Sequence, residues 1–269
     1  MRYIQAFFMS LTMFSAIPCP YRPWNENARR LMLVFLPLVG LIIGFLWYGA
    51  YLLLAWLNIP LQLQAAALML FPYLITGFIH LDGIMDTADA ILSRKPREDK
   101  LRILKDPHTG AFAVIAVAVL FALCYASSSS VVELEHLKKT LGIAAGYPML
   151  SLIFIPVITR CCSSLAVLGG KPLDHSQYNE NGRKRALAEI ITVCIAGLSV
   201  ILTAVALGAG MLIPEASYTV LLVLSGAVIA YAAAMLGAVR QLKGVSGDLA
   251  GYALTLAEAF ALAVLALCS

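Results

Sequence analysis

The sequence has little charge. Asp, Glu, Lys and Arg make up 13% of its 269 residues, where soluble domains carry about 25%. So few ionised side chains cannot coat a soluble globule of this size. At 61% hydrophobic, with mean hydropathy +0.87, the chain is not a disordered polymer either. A net charge of +4 is too small for a nucleic-acid footprint, so no nucleic-acid partner is expected. The sequence also lacks cysteine pairs of zinc-site spacing. Its six cysteines are Cys19, Cys124, Cys161, Cys162, Cys194 and Cys268, and four of them lie inside apolar runs. They read as small buried apolar residues, without a disulfide framework. Long linkers, internal repeats and low-complexity tracts beyond Ser127 to Ser130 are missing as well. A single domain over 1–269 is the expectation.

What the chain does have is long apolar runs. A transmembrane helix needs about 20 mostly apolar residues, and about seven segments reach or approach that length: 31–57, 64–81, 110–126, 140–168, 186–208, 218–239 and 250–268. The amino terminus, Met1-Arg2 followed by an apolar run to Ile17, resembles a secretory signal. Pro18 and Pro20 suit neither signal cleavage nor lipoprotein processing, which favours a retained helix. The expected fold class is an all-α polytopic integral membrane protein, with about seven transmembrane helices plus an N-terminal interfacial or re-entrant helix. Alternate loops divide the bases very unequally, sixteen Lys and Arg on one side against Lys138 and Lys139 on the other. The base-rich loops are therefore expected in the cytoplasm, with a multi-pass protein in the cell membrane and the lipid bilayer as a partner.

The acids are concentrated. Six of the fifteen fall between Asp82 and Asp106. Asp82, Asp86 and Asp89 are spaced i, i+4, i+7, which puts them on one face of a helix. Three like charges on one face repel unless something positive sits among them. Carboxylate oxygens suit a hard cation such as Mg²⁺. On a straight helix Asp82 and Asp89 start roughly 10 Å apart. That spacing leaves two arrangements open: two ions, each held by an adjacent pair, or a break at Gly83 that folds the first carboxylate back. Paired ions about 3.5–4 Å apart can clamp both oxygens of a phosphoryl displacement. Intramembrane acids also mark ion or proton pathways. The neighbouring bases favour phosphate instead, because Arg94, Arg97, Arg102 and Lys105 could bind the oxygens of a nucleotide diphosphate. Glu258, deep in the last apolar run, must face the protein interior with a partner. Arg160 is either a buried structural partner or a phosphate ligand, and His80 a metal ligand or a hydrogen-bonded structural residue.

These residues resemble the cobalamin synthase family, the adenosylcobinamide-GDP ribazoletransferases of corrinoid-making prokaryotes. The likeness rests on a His-Leu-Asp-Gly-x-x-Asp-Thr-x-Asp block at His80 to Asp89. It continues through Arg97, Leu101, Ile103, Lys105-Asp106 and Gly110. A second block, Gly247-Asp248-Leu-Ala-Gly251, matches the family near the carboxyl terminus, and Pro18, Pro20 and the Pro37 to Gly44 run fit as well. The sequence departs from the family pattern at several points. Thr76-Gly77-Phe78 stands in place of a double Gly and Ala90 in place of a Gly. Pro107-His108 replaces a Ser-Arg pair, with His108 the stand-in for the missing base, and Thr255 stands where relatives can carry an acid.

The resemblance implies a Mg²⁺-dependent transferase at the membrane. A ribose hydroxyl of α-ribazole, or of its 5′-phosphate, attacks the cobinamide-side phosphorus of adenosylcobinamide-GDP, and GMP leaves. On this reading Asp82, Asp86 and Asp89 bind metal. Asp106 or Asp248 is the general base, and Arg94, Arg97, Lys105, His108 and Arg160 hold substrate phosphates. The active site is expected on the cytoplasmic side. A homo-oligomer, or association with other corrinoid-assembly enzymes, is compatible with it. Two other readings stand beside this one: a CDP-alcohol phosphotransferase of phospholipid synthesis, and a non-enzymatic ion or corrinoid transporter.

Overall fold

Inside a bilayer no water satisfies the backbone, so an apolar chain must pair its own N–H and C=O groups, and helices do this within one segment. The computed structural model describes residues 1–143, 146–173, 183–210 and 214–269, and within them the side chains of all but 183–186, 204, 207–210 and 214–217. In chain order the helices are α1 (Arg2–Phe14), α2 (Arg29–Trp56), α3 (Leu61–Ile75), α4 (Ile79–Leu92), α5 (Arg97–Ile103), α6 (Ala111–Thr140), α7 (Ser151–Gly169), α8 (Arg183–Gly210), α9 (Pro214–Leu242) and α10 (Gly247–Cys268). Among the described residues the one β contact is an isolated bridge between Pro172 and Val245, which ties the segment after α7 to the turn before α10.

The protein is an all-α, multi-pass membrane protein. Among the described residues five helices are long and apolar enough to cross a bilayer: Glu26–Trp56, Ala111–Thr140, Pro148–Gly169, Tyr218–Leu242 and Gly247–Cys268. Leu187–Thr203 is a shorter apolar stretch within α8. α1, at 13 residues, is too short to span and packs along α2, where Ala6 and Met9 are buried with Ala28 and Met32.

Two expected spans take a different form. The run 64–81 is not one straight helix: α3 ends at Ile75, and α4 leaves it at 89°. The turn between them is a Schellman motif, with Phe78 N–H on the Tyr73 carbonyl at 2.9 Å and Gly77 N–H on Leu74 at 3.1 Å. Gly77 and Phe78 both take left-handed backbone, at φ 61° and 63°. The Ile75 carbonyl accepts from Ala16 N–H at 2.7 Å, so the segment after α1 holds the bend. The run 140–168 also begins late, because Leu141 caps α6 and the next long helix starts at Ser151, after Pro148.

α2 and α7 approach very closely. A Cβ on Gly44 would sit 2.1 Å from the Ile153 carbonyl oxygen, and one on Gly40 would sit 2.5 Å from that of Pro156. Small residues four apart let membrane helices pack backbone to backbone. At one end of the bundle α4 and the starts of α6 and α10 gather with the ends of α7 and α9. Ser164 Oγ there donates to the Leu33 carbonyl at 2.7 Å, and Arg97 Nε to that of Leu242 at 2.9 Å. The acidic sequence block lies at this end.

Candidate active site

α4 carries Asp82, Asp86 and Asp89 on successive turns of one face, as the spacing predicts. The helix runs unbroken through Gly83, so the proposed break there is not formed. Gly83 has a different task. A Cβ at this position would lie 2.6 Å from the Asp248 carbonyl oxygen, so glycine lets the start of α10 rest on α4. Ser246 caps α10, its Oγ accepting from Leu249 N–H at 3.3 Å, which fixes Asp248 in the first turn, where the helix dipole favours a carboxylate. Two blocks far apart in sequence thus bring a fourth acid to the trio. The charge on Asp86 is opposed first by its burial, then by the carboxylates of Asp82, Asp248 and Asp89. Among the described residues no ion pair reaches Asp82, Asp86, Asp89 or Asp248.

Asp89 is already engaged. Its Oδ2 accepts from Gly110 N–H at 2.6 Å and its Oδ1 from Ala113 N–H at 2.9 Å. Gly110 has no side chain to cap α6, and Asp89 does so from another helix. Each of its oxygens keeps one lone pair for another ligand. Asp106 is exposed and closes a tight turn, with its Oδ1 bonded to His108 N–H at 3.0 Å and to His108 Nδ1 at 2.7 Å. The backbone hydrogen bond first, then the imidazole, hold its carboxyl below the usual carboxylate range.

The donor set fits a hard divalent cation. It consists of carboxylate oxygens with uncompensated negative charge. Among the described residues, however, no three acidic, His or Cys side chains converge into a ready-made cage. Mg²⁺ rarely needs one, since it is usually held by one or two carboxylates, with waters and substrate phosphates completing the octahedron.

The bases separate into two sets. Lys105 and His108 line the same polar cavity as Asp82, Asp86, Asp89 and Asp106, with a volume of about 230 Å³. Lys105 is exposed and forms no ion pair among the described residues. Arg94 is exposed just past the end of α4, in left-handed backbone, and does not line that cavity. Arg97 is anchored through Nε to the C-terminal carbonyl of α9, and Lys100 beside it to Gln241 Oε1 at 2.5 Å. Arg160 lies apart from the polar cavity. It is fully buried, with its guanidinium on Glu258 Oε1 at 2.7 Å and on the Pro156 carbonyl at 3.1 Å. Its expected phosphate contact gives way to a buried pair with Glu258, because neither side chain could enter the bundle charged and alone.

A second cavity of 360 Å³ adjoins on the α10 side, with His80, Lys105 and Asp248 in its wall. No solved structure matches the chain. Residues 6–266 match the family model described as cobalamin-5-phosphate synthase. The chain belongs to the cobalamin-5-phosphate synthase family. Proteins named adenosylcobinamide-GDP ribazoletransferase are similar to it over nearly its whole length. One from Clostridium perfringens (strain SM101 / Type A) is 37% identical over 95% of each chain. One from Clostridium botulinum (strain Alaska E43 / Type E3) is 34% identical over 93% of this chain and 92% of its own. One from Pseudomonas fluorescens (strain Pf0-1) is 32% identical over 97% and 98%.

Three features of this cobalamin-5-phosphate synthase family member escape sequence reasoning. The pairing of Arg160 with Glu258 could have been inferred, since each is the other's natural solution to burial. The capping of α6 by Asp89 had one weak signal, a glycine with no side chain where a helix starts. The close approach at Gly83 had none, because only a fold tells which glycine faces a backbone.

Proposed function

We propose that this membrane enzyme joins α-ribazole, or its 5′-phosphate, to adenosylcobinamide-GDP and releases GMP, the assembly step of the cobalamin nucleotide loop. The observation that carries the reading is the junction of α4 and α10. There Asp82, Asp86 and Asp89, without ion-pair partners among the described residues, line a polar cavity with Lys105, and Asp248 comes beside them from α10. Asp82 and Asp86, with the remaining lone pairs of Asp89, would hold Mg²⁺, which supplies charge neutralisation of the diphosphate and of the departing GMP oxygen. Lys105 and His108 line the cavity where the diphosphate oxygens would lie, and Lys105 adds positive charge there. A carboxylate, Asp248 or Asp106, accepts the proton of the ribose hydroxyl. The hydroxyl oxygen forms a bond to the cobinamide-side phosphorus, the bond from that phosphorus to the bridging oxygen breaks, and the bridging oxygen leaves with GMP. The acceptor is held beside the diphosphate, so the two react as neighbours rather than by chance encounter.

The cytoplasmic side is our assignment for this site, supported by the excess of Lys and Arg in the loops at that end. The test is direct. Purified protein is incubated with adenosylcobinamide-GDP, α-ribazole and Mg²⁺, and the products are scored for GMP and for a corrinoid carrying the nucleotide loop. Both are expected. Turnover of CDP-linked lipid substrates with no corrinoid product would replace this reading with that of a phospholipid synthase.

A further inference from the structure

The 360 Å³ cavity is a different environment from the acidic one. Its wall is mostly carbon, from residues such as Phe14, Leu36, Val167 and Leu254, contributed by α1, α2, α7 and α10. Five polar side chains break this pattern, those of His80, Lys105, Ser163, Ser246 and Asp248. His80 is 8% exposed, and its Nε2 is buried with no hydrogen-bond partner. The ring is firmly placed. It lies 14° from parallel to Phe14 with centroids 6.3 Å apart, its Nδ1 edge faces Gly251, and its carbonyl accepts from Thr255 Oγ1 at 3.3 Å.

We propose that this cavity is the acceptor subsite: it takes the flat benzimidazole base of the ribazole against its carbon wall, with His80 in the wall beside it. The inference rests on the transferase reading and adds which substrate sits where. Size excludes the corrin macrocycle, which with its amide arms far exceeds a space at the lower end of ordinary ligand pockets. The mostly carbon wall matches the apolar faces of a benzimidazole more closely than guanine, whose edge carries several donors and acceptors. A benzimidazole needs apolar faces and one partner, and the cavity supplies both. Ser246 and Asp248 line it as well, and Lys105 lines this cavity and the acidic one alike. A base seated against His80 therefore sends its ribose out past Asp248 toward the carboxylates of α4.

The experiment is steady-state GMP release by the purified full-length protein in nanodiscs, varying each substrate in turn. Val167→Phe fills the cavity and His80→Gln removes the imidazole. Each is expected to raise the KM for α-ribazole at least tenfold and to leave that for adenosylcobinamide-GDP within twofold. On the wild type, with no folding to question, free benzimidazole is expected to compete with α-ribazole and not with adenosylcobinamide-GDP. Competition against adenosylcobinamide-GDP, or variants that raise only its KM, overturns the assignment. So does an active wild type that benzimidazole does not inhibit. A wild type that releases no GMP from this substrate pair overturns the transferase reading itself, and the acceptor subsite with it.

Discussion

Gly83 of α4 lies against the backbone of Asp248 on α10, so close that a single added carbon would stand 2.6 Å from a carbonyl oxygen. The sequence separation is large, and the contact sets the distance between the fourth carboxylate and the other three. Gly83→Ala is expected to push the start of α10 away, with an overpacking cost of about 1–3 kcal/mol. GMP release should fall more than tenfold in protein that still folds, as judged by its thermal midpoint in detergent. Retention of more than half the activity would separate Asp248 from the chemistry.

The Arg160–Glu258 pair holds α7 to α10 inside the bundle, and Thr159 Oγ1 adds a bond to the same carboxylate oxygen at 3.2 Å. Removing one partner leaves a buried charge, so Arg160→Met or Glu258→Leu alone should cost about 3–5 kcal/mol. The double replacement should restore much of the loss. Thermal unfolding of the three variants checks this. Normal stability in Arg160→Met, with a raised KM for adenosylcobinamide-GDP, would instead make Arg160 a substrate ligand.

Asp106 and Asp248 are the two carboxylates we propose for the general base, and side-chain chemistry separates them. Asp106→Asn keeps the oxygen that accepts from His108 N–H, so the turn survives, whereas Asp106→Ala loses it. If Asp106 takes the proton, its Asn variant loses about 10²–10⁴-fold in kcat. If Asp248 does, that loss belongs to Asp248→Asn and Asp106→Asn stays near wild type. The pH dependence has a definite sign. The Asp106 carboxyl is held below its ordinary value, so the turn's contribution is complete above about pH 4–5. It is lost as pH falls through the lowered folded-state value, and local proteolysis of the 104–110 loop should then increase.

Phe78 adopts left-handed backbone at the bend before α4. A non-glycine residue in that conformation costs roughly 1–2 kcal/mol. Phe78→Gly is expected to raise stability by about 0.5–1 kcal/mol, after the larger entropy of glycine in the unfolded chain is counted. A lower thermal midpoint would show that the exposed ring contributes more than the strain costs.

Much of this architecture was legible in the residues. Apolar run length reveals the spans, and the i, i+4, i+7 acids fall on one helix face because helical periodicity alone decides it. The bend at Thr76–Phe78 was hidden within an apolar run, since hydropathy is blind to backbone handedness. Arg97 shows a second limit: its charge suggested phosphate, yet its Nε serves the carbonyl of Leu242 at the end of α9. A base in a loop and a base capping a distant helix look alike until the tertiary fold is known. Lys105 differs from it only in where the chain places it, at the junction of two cavities.

We propose that the α4 carboxylates carry out phosphoryl transfer, with a divalent cation between them and the diphosphate. The most direct measurement is GMP release in membranes by Asp82→Asn and Asp86→Asn, at matched protein levels and over a range of Mg²⁺ concentrations. A drop of at least a hundredfold is expected in each, with the Mg²⁺ concentration for half-maximal rate shifted upward in whatever activity remains. Near-wild-type turnover in both variants, with an unchanged Mg²⁺ requirement, would contradict it.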